Sequence, residues 1–149
     1  MKTIITPVKI KGFNNIIVDL KRKTVTDLLN RLPDIKVKNL SGYSVGGAIV
    51  LILAQKLNLN SITIFSPTPY FKERLNTFPK YIIKALGKKR ITDINKYSVK
   101  NINRNIKTKI IIGEDEVRDV KSFAKYLNKT IKNSSLIIKE GCNHNDLLK

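Results

Sequence analysis

The chain predicts an α/β protein built on a mostly parallel sheet with helices on both faces. Two observations carry that expectation. Short apolar runs of strand length alternate with longer stretches whose apolar residues recur at helical spacing. Strands that are separated by helices pair in parallel, because each crossover returns the chain to the same edge of the sheet. A third observation is the length: 149 residues fit one ordinary domain with a core large enough to be stable. With no internal repeat, low-complexity tract or linker, residues 1–149 are read as a single domain.

In chain order, KTIIT (2–6) and NIIVDL (15–20) read as strands. VTDLLNRL (25–32) reads as a helix with Thr24 as its cap and Pro33 as its end. KVKNLSG (36–42) is a strand, and GAIVLILAQKL (47–57) is apolar nearly all round, the mark of a buried helix. SITIFSP (61–67) is a strand closed by Pro67 and Pro69. Residues 68–106 interrupt the rhythm, and YFKERLNTFPKYIIKALGKKR holds one or two short helices around Pro79. Such an insert sits over the carboxyl ends of the strands, where open α/β sheets bind ligands, so it is either a short helical lid or a surface excursion. KTKIIIG (107–113) and SLIIKEG (135–141) are the last strands. Between them Val117, Val120, Phe123, Ala124, Leu127 and Ile131 mark an amphipathic helix over 117–132.

Composition excludes several classes. A hydrophobic fraction of 42% is that of a globular chain. The single cysteine, Cys142, has no partner for an internal disulfide, which points to a reducing compartment. MKTIITPVKIKG lacks the apolar core of a signal peptide, and no run reaches the roughly 18 apolar residues of a spanning helix, so the expected location is cytoplasmic. One histidine and one cysteine are too few for a usual zinc site, and no metal is expected. The net charge of +18, from 29 basic and 11 acidic residues, attracts polyanions, and non-specific nucleic-acid contact follows from it. The basic residues are spread along the chain with no dense run, as an abundance of Lys, Asn and Ile would leave them. A polyanion-binding module is the alternative reading.

Chemistry concentrates in GYSVG, residues 42–46. This G-x-S-x-G pattern lies between a strand and a helix. A sharp turn there forces its middle residue into a strained conformation, and Gly42 and Gly46 let neighbouring backbone pass close by. The turn lifts the Ser44 hydroxyl out of the sheet and aims the Val45 N–H where an oxyanion forms. The plainer alternative makes Ser44 a helix cap and the glycines packing devices. A serine nucleophile needs a base, and His144, just past the last strand, is the one histidine. The base needs a carboxylate, and Glu114, Asp115, Glu116 and Asp119 all follow the strand at 107–113.

The order of GYSVG, the GEDEV acid segment and EGCNHN, each at a strand end, resembles the α/β-hydrolase superfamily over roughly residues 15–149. The resemblance implies a serine hydrolase acting on an ester or thioester, with Ser44 as nucleophile, His144 as base and no cofactor. The family's acid stands third after the strand's glycine, which here is Glu116. Aligning the DEV run instead selects Asp115, with Glu116 as substitute. Tyr43, Phe65, Tyr70 and Phe71 would line an acyl pocket or serve as packing. An acidic carrier protein is one way an acyl group could arrive. At the amino end the sequence departs from the family: KTIIT is followed by PVKIKGFNN, too short for a crossover helix, and there is no HG-type motif. Pro7 has no N–H, so Val8 or Lys9 would supply the second oxyanion donor. That shortening motivates a catalytically degenerate hydrolase fold as the other reading.

Overall fold

The architecture below is that of a computed structural model describing residues 1–21 and 23–148. The β-branched runs form six strands: β1 (Lys2–Thr6), β2 (Phe13–Ile17), β3 (Asn39–Tyr43), β4 (Ser61–Phe65), β5 (Lys107–Gly113) and β6 (Ser134–Lys139). They make one sheet in the order β2-β1-β3-β4-β5-β6. Every neighbouring pair is parallel, with Tyr43 beside Phe65 and Phe65 beside Ile111. The carboxyl ends of β3, β4 and β5 therefore lie side by side, and the three loops that leave them share one edge.

Four α-helices connect the strands: α1 (Val25–Asn30), α2 (Val45–Leu53), α3 (Lys80–Ile94) and α4 (Arg118–Thr130). Thr24 caps α1 in a reciprocal box with Asp27, satisfying amides that the helix start leaves bare. All nine residues of α2 are buried, as its unbroken apolar sequence requires. α4 buries Val120, Phe123, Ala124 and Leu127 and turns its basic residues outward. The insert at 68–106 is helical, with a 3-10 helix over Lys72–Thr77 before Pro79 and α3 after it, bent at Gly87 where φ is 81°. Its Phe71, Phe78, Leu86, Ile94 and Val99 join the main core, so it is anchored as the β4–β5 crossover.

Alternate strand residues split between two faces. Ile5, Leu40, Ile62, Ile64, Ile110 and Ile112 meet the buried side chains of the helices in one core. Ile4 and Tyr43 face the other way, joined by Ile10, Phe13, Phe65 and Leu148, none of them helical. Helices thus gather on one face, where the sequence led us to expect them on both. Crossover handedness explains the difference. β3, β4, β5 and β6 follow one another in the same direction across the sheet, and right-handed connections keep their helices on one side. The step from β1 to β2 runs the other way, so its connection must cross the opposite face. That connection is only residues 7–12, too short for a helix, and Ile10 is its one buried apolar anchor. Among the described residues no helix is long and apolar enough to cross a membrane.

Candidate active site

Between Tyr43, the last residue of β3, and Val45, the first of α2, Ser44 alone makes the turn, at φ 57° and ψ −121°. That conformation is disfavoured for any residue with a Cβ. Backbone bonds hold it: the Ser44 N–H donates to the Phe65 carbonyl at 3.0 Å, and the Ser44 carbonyl accepts from Gly47 at 2.9 Å and Thr68 at 3.2 Å. The side chain makes no cap bond to the helix. Its Oγ lies 3.0 Å from Nε2 of His144 instead. The flanking glycines have steric reasons. A Cβ on Gly46 would stand 1.8 Å from the Ile5 carbonyl oxygen, and one on Gly42 would stand 2.5 Å from the Gly46 oxygen. Both obstacles are backbone and cannot rotate away. Gly46→Ala is expected to destabilise the fold by about 3 kcal/mol or more, read from the midpoint of urea unfolding; a wild-type midpoint would refute the packing argument.

His144 is delivered by the loop after β6, which is lashed to the end of β5. The Glu114 N–H donates to Lys139 and the Asp115 N–H to Cys142, each at 2.9 Å. Gly113 packs so closely beneath the loop that a Cβ would stand 2.1 Å from the Cys142 oxygen. From below, the Tyr43 hydroxyl donates to the His144 carbonyl at 2.6 Å, and the two rings lie 5.2 Å apart. Nδ1 of His144 lies 3.0 and 3.1 Å from the two carboxylate oxygens of Glu116. The Glu116 side chain is fully shielded from solvent.

The structure brings Glu116, not Asp115, to the histidine. Asp115 is exposed, and its bond to the histidine loop is made through the backbone. Its N–H is turned inward onto Cys142, while the next residue, third after Gly113, carries its carboxylate under the imidazole. The extra methylene of glutamate gives the reach. Sequence reasoning also missed Ser66. This fully buried serine follows β4 at φ 44° and donates from Oγ to Glu116 at 2.6 Å. Its only sequence signal is a polar residue between the apolar strand SITIF and Pro67.

Burial raises the pKa of Glu116, but hydrogen bonds from His144 and Ser66, the charge of His144 and the Val117 N–H together outweigh it and leave the carboxyl below the ordinary glutamate range. An ionised Glu116 accepts from Nδ1–H, which leaves Nε2 free to accept the Ser44 proton. A depressed folded pKa contributes stability above the unfolded value and loses it as pH falls through the folded one. The stability gap between wild type and Glu116→Gln is therefore expected to be largest near neutrality and to close below about pH 4. A gap independent of pH in denaturant titrations would contradict the shift.

Two other sequence expectations are corrected. The Val8 N–H donates to its own loop, to Thr6 Oγ1 at 3.2 Å, while that hydroxyl donates to the Val8 carbonyl at 2.7 Å. Val8 is thus committed to an Asx-like turn in the shortened β1–β2 connection and is not available as the second oxyanion donor. The Val45 N–H, first amide of α2, retains the position a helix start gives it. The expected pocket aromatics are largely spent on packing. Phe71 is fully buried in a stack on Phe123, Tyr43 braces the histidine loop, Tyr70 packs edge-on to Phe78, and Phe65 packs edge-on to Phe13.

No protein-family model matches the chain, and no curated protein matches it. Solved structures do. Est1E from Butyrivibrio proteoclasticus superposes with a TM-score of 0.70 at 13% identity, over 97% of this chain and 79% of its own. Alpha/beta hydrolase domain-containing protein 10 from mouse gives 0.68 at 10% identity, over 96% and 82%. A carboxylesterase structure from the thaumarchaeon Nitrososphaera gargenis gives 0.60 at 16% identity, over 99% and 84%. At these identities the likeness is one of fold, and the chain has the α/β-hydrolase fold.

Proposed function

On this α/β-hydrolase fold, we propose that the protein is a serine hydrolase cleaving a carboxylic ester or thioester. Ser44 is the nucleophile, His144 the general base and acid, and Glu116 the carboxylate that orients it. One observation carries the reading: an unbroken chain from Ser44 Oγ through the imidazole to a buried carboxylate, with 3.0 Å at each junction.

Ser44 Oγ attacks the acyl carbon while Nε2 takes its proton, and Glu116 holds the imidazolium that results. The carbonyl electrons move onto oxygen, facing the Val45 N–H and the positive end of α2. The tetrahedral species collapses as Nε2 gives its proton to the leaving oxygen or sulfur, leaving Ser44 acylated. Water, deprotonated by His144, repeats the attack and releases the acid and free Ser44. The strained turn at Ser44 supports this reading, because a serine that served only as a helix cap has no need of positive φ.

A second reading, a hydrolase fold that binds without turnover, is favoured by the commitment of the Val8 N–H within its own loop. Losing one oxyanion donor costs about 10²–10³ in kcat where it has been measured, which weakens a triad without silencing its nucleophile. Labelling by a fluorophosphonate probe decides between the two. Wild type is expected to gain one covalent adduct on Ser44, seen by mass spectrometry of the peptide, and Ser44→Ala none. An unlabelled wild type, folded by circular dichroism, would leave the non-catalytic reading standing.

A further inference from the structure

We propose that Tyr43 is a positioning residue for catalysis, setting the distance between the imidazole and Ser44 through the main-chain carbonyl of His144. This rests on the serine-hydrolase reading above and adds to it the group that places the base.

His144 stands on a loop, and its side chain is 29% exposed. The restraints on that loop fall to either side of the histidine. Upstream, the Asp115 N–H is bonded to the Cys142 carbonyl, and the Gly141 N–H donates to Glu114 Oε1 at 3.2 Å. Downstream, Asn143 Oδ1 accepts from the Asn145 and Asp146 N–H groups, each at 2.9 Å, which closes a turn around the histidine. None of these holds residue 144 itself. Among the described residues, the Tyr43 hydroxyl is the one group bonded to its main chain, at 2.6 Å.

Tyr43 is a firm point of reference. It ends β3, which lies between β1 and β4 in the sheet. Its ring is 5% exposed and packs with Ile4 and Ile10, with Phe13, Phe65 and Leu148 against them. No helix covers that face, so the histidine loop rests on this small cluster. Leu148 packs into it after the histidine, and the Tyr43 ring lies 5.2 Å from the imidazole with the planes 31° apart. Burial first, and the charge of Glu116 second, push the phenol above the ordinary tyrosine range, so the hydroxyl remains a donor well past neutral pH.

One peptide bond separates Tyr43 from Ser44. The two neighbours grip the histidine at opposite ends, Ser44 Oγ at Nε2 with 3.0 Å and Tyr43 at the main chain. Nucleophile and base are thereby referred to the same strand end. Drift of the loop would lengthen the bonds to Ser44 and Glu116 together, and a misplacement of about 1 Å can cost about 10² in rate.

Tyr43→Phe keeps the ring and removes the donor. Its kcat for p-nitrophenyl acetate is expected to fall about tenfold, the worth of one hydrogen bond, with KM within about twofold of wild type. Tyr43→Leu, which also removes the ring, should fall further. Because His144 is the one histidine, isotopic labelling of histidine nitrogen reports a single imidazole by NMR. In Tyr43→Phe its Nδ1–H should exchange with water about tenfold faster than in wild type, as the bond to Glu116 opens more often. A purely structural tyrosine would lower the melting temperature and move neither quantity. Wild-type kcat in a folded Tyr43→Phe overturns the catalytic role, and unchanged exchange overturns the positioning. Wild type supplies a readout that needs no variant to fold: the buried Tyr43 hydroxyl proton should exchange slowly enough to be seen by NMR, and its absence would overturn the bond on which the role depends. If wild type hydrolyses no ester, the hydrolase reading falls, while the imidazole exchange still decides whether Tyr43 sets the position of His144.

Discussion

Ser44→Ala is expected to lower kcat/KM for p-nitrophenyl acetate about 10⁴-fold or more, the scale on which a triad nucleophile fails when removed. The loss is expected in kcat, because Ser44 is the proposed nucleophile that forms the acyl-enzyme. Folding should survive, since Oγ makes no cap bond and its partner His144 stays braced through the backbone and Tyr43. Ser44→Gly sharpens the test. Glycine accepts φ 57° without penalty, and relief of strain at such a position is worth about 1–3 kcal/mol. The glycine variant is therefore expected to be as inactive as the alanine variant and more stable than wild type in thermal melts. Wild-type rates in either variant would remove Ser44 from the mechanism. A glycine variant less stable than wild type would show that the turn is not strained.

Much of the site was legible because the sequence encodes backbone collisions. Gly42 and Gly46 are dictated by carbonyl oxygens that a Cβ would strike, and that constraint appears in the sequence as a spacing. His144 was legible because it is the one histidine. The acid was not, since Asp115 and Glu116 are adjacent and either can serve chemically. Which one faces inward is set by a bond from the Asp115 N–H to the Cys142 carbonyl, and backbone bonds across distant loops leave no mark on residue type. Ser66 is hidden for the same reason: a buried serine gains meaning only when β4 and β5 pair and bring it under Glu116. Tyr43 read as a pocket wall because aromatic residues near a nucleophile often are, whereas strand alternation turns it to the opposite face of the sheet. The bare face could have been foreseen. The shortness of PVKIKG was visible, and only the handedness rule was needed to say which side it would leave without a helix.

Glu116→Gln is expected to cost far more activity than Asp115→Asn. The neutral amide removes the charge that stabilises the imidazolium. It can also turn its NH₂ toward Nδ1, which favours the tautomer with its proton on Nε2, unable to accept from Ser44. The corresponding exchange in a serine protease triad lowers kcat about 10⁴-fold, and a loss of that order is expected here. Asp115→Asn should stay within about twofold of wild type, as an exposed change that leaves its backbone bond to Cys142 intact. Glu116→Asp separates charge from reach. It keeps the carboxylate but withdraws it by a methylene from both His144 and Ser66, so its activity should fall between wild type and the glutamine variant. The three are compared by kcat at a pH where Glu116 is ionised, with KM followed to exclude a binding defect. A larger loss in Asp115→Asn than in Glu116→Gln would return the acid to Asp115, and equal small losses would dissolve the triad. Because burial alone would push the Glu116 carboxyl up, its lowered pKa depends on the partners that hold it. Ser66→Ala should accordingly let the Glu116 carboxyl rise, so that in the Ser66→Ala background the stability gap between Glu116 and its glutamine variant closes at a higher pH than in wild type, an effect that a purely structural serine would not produce.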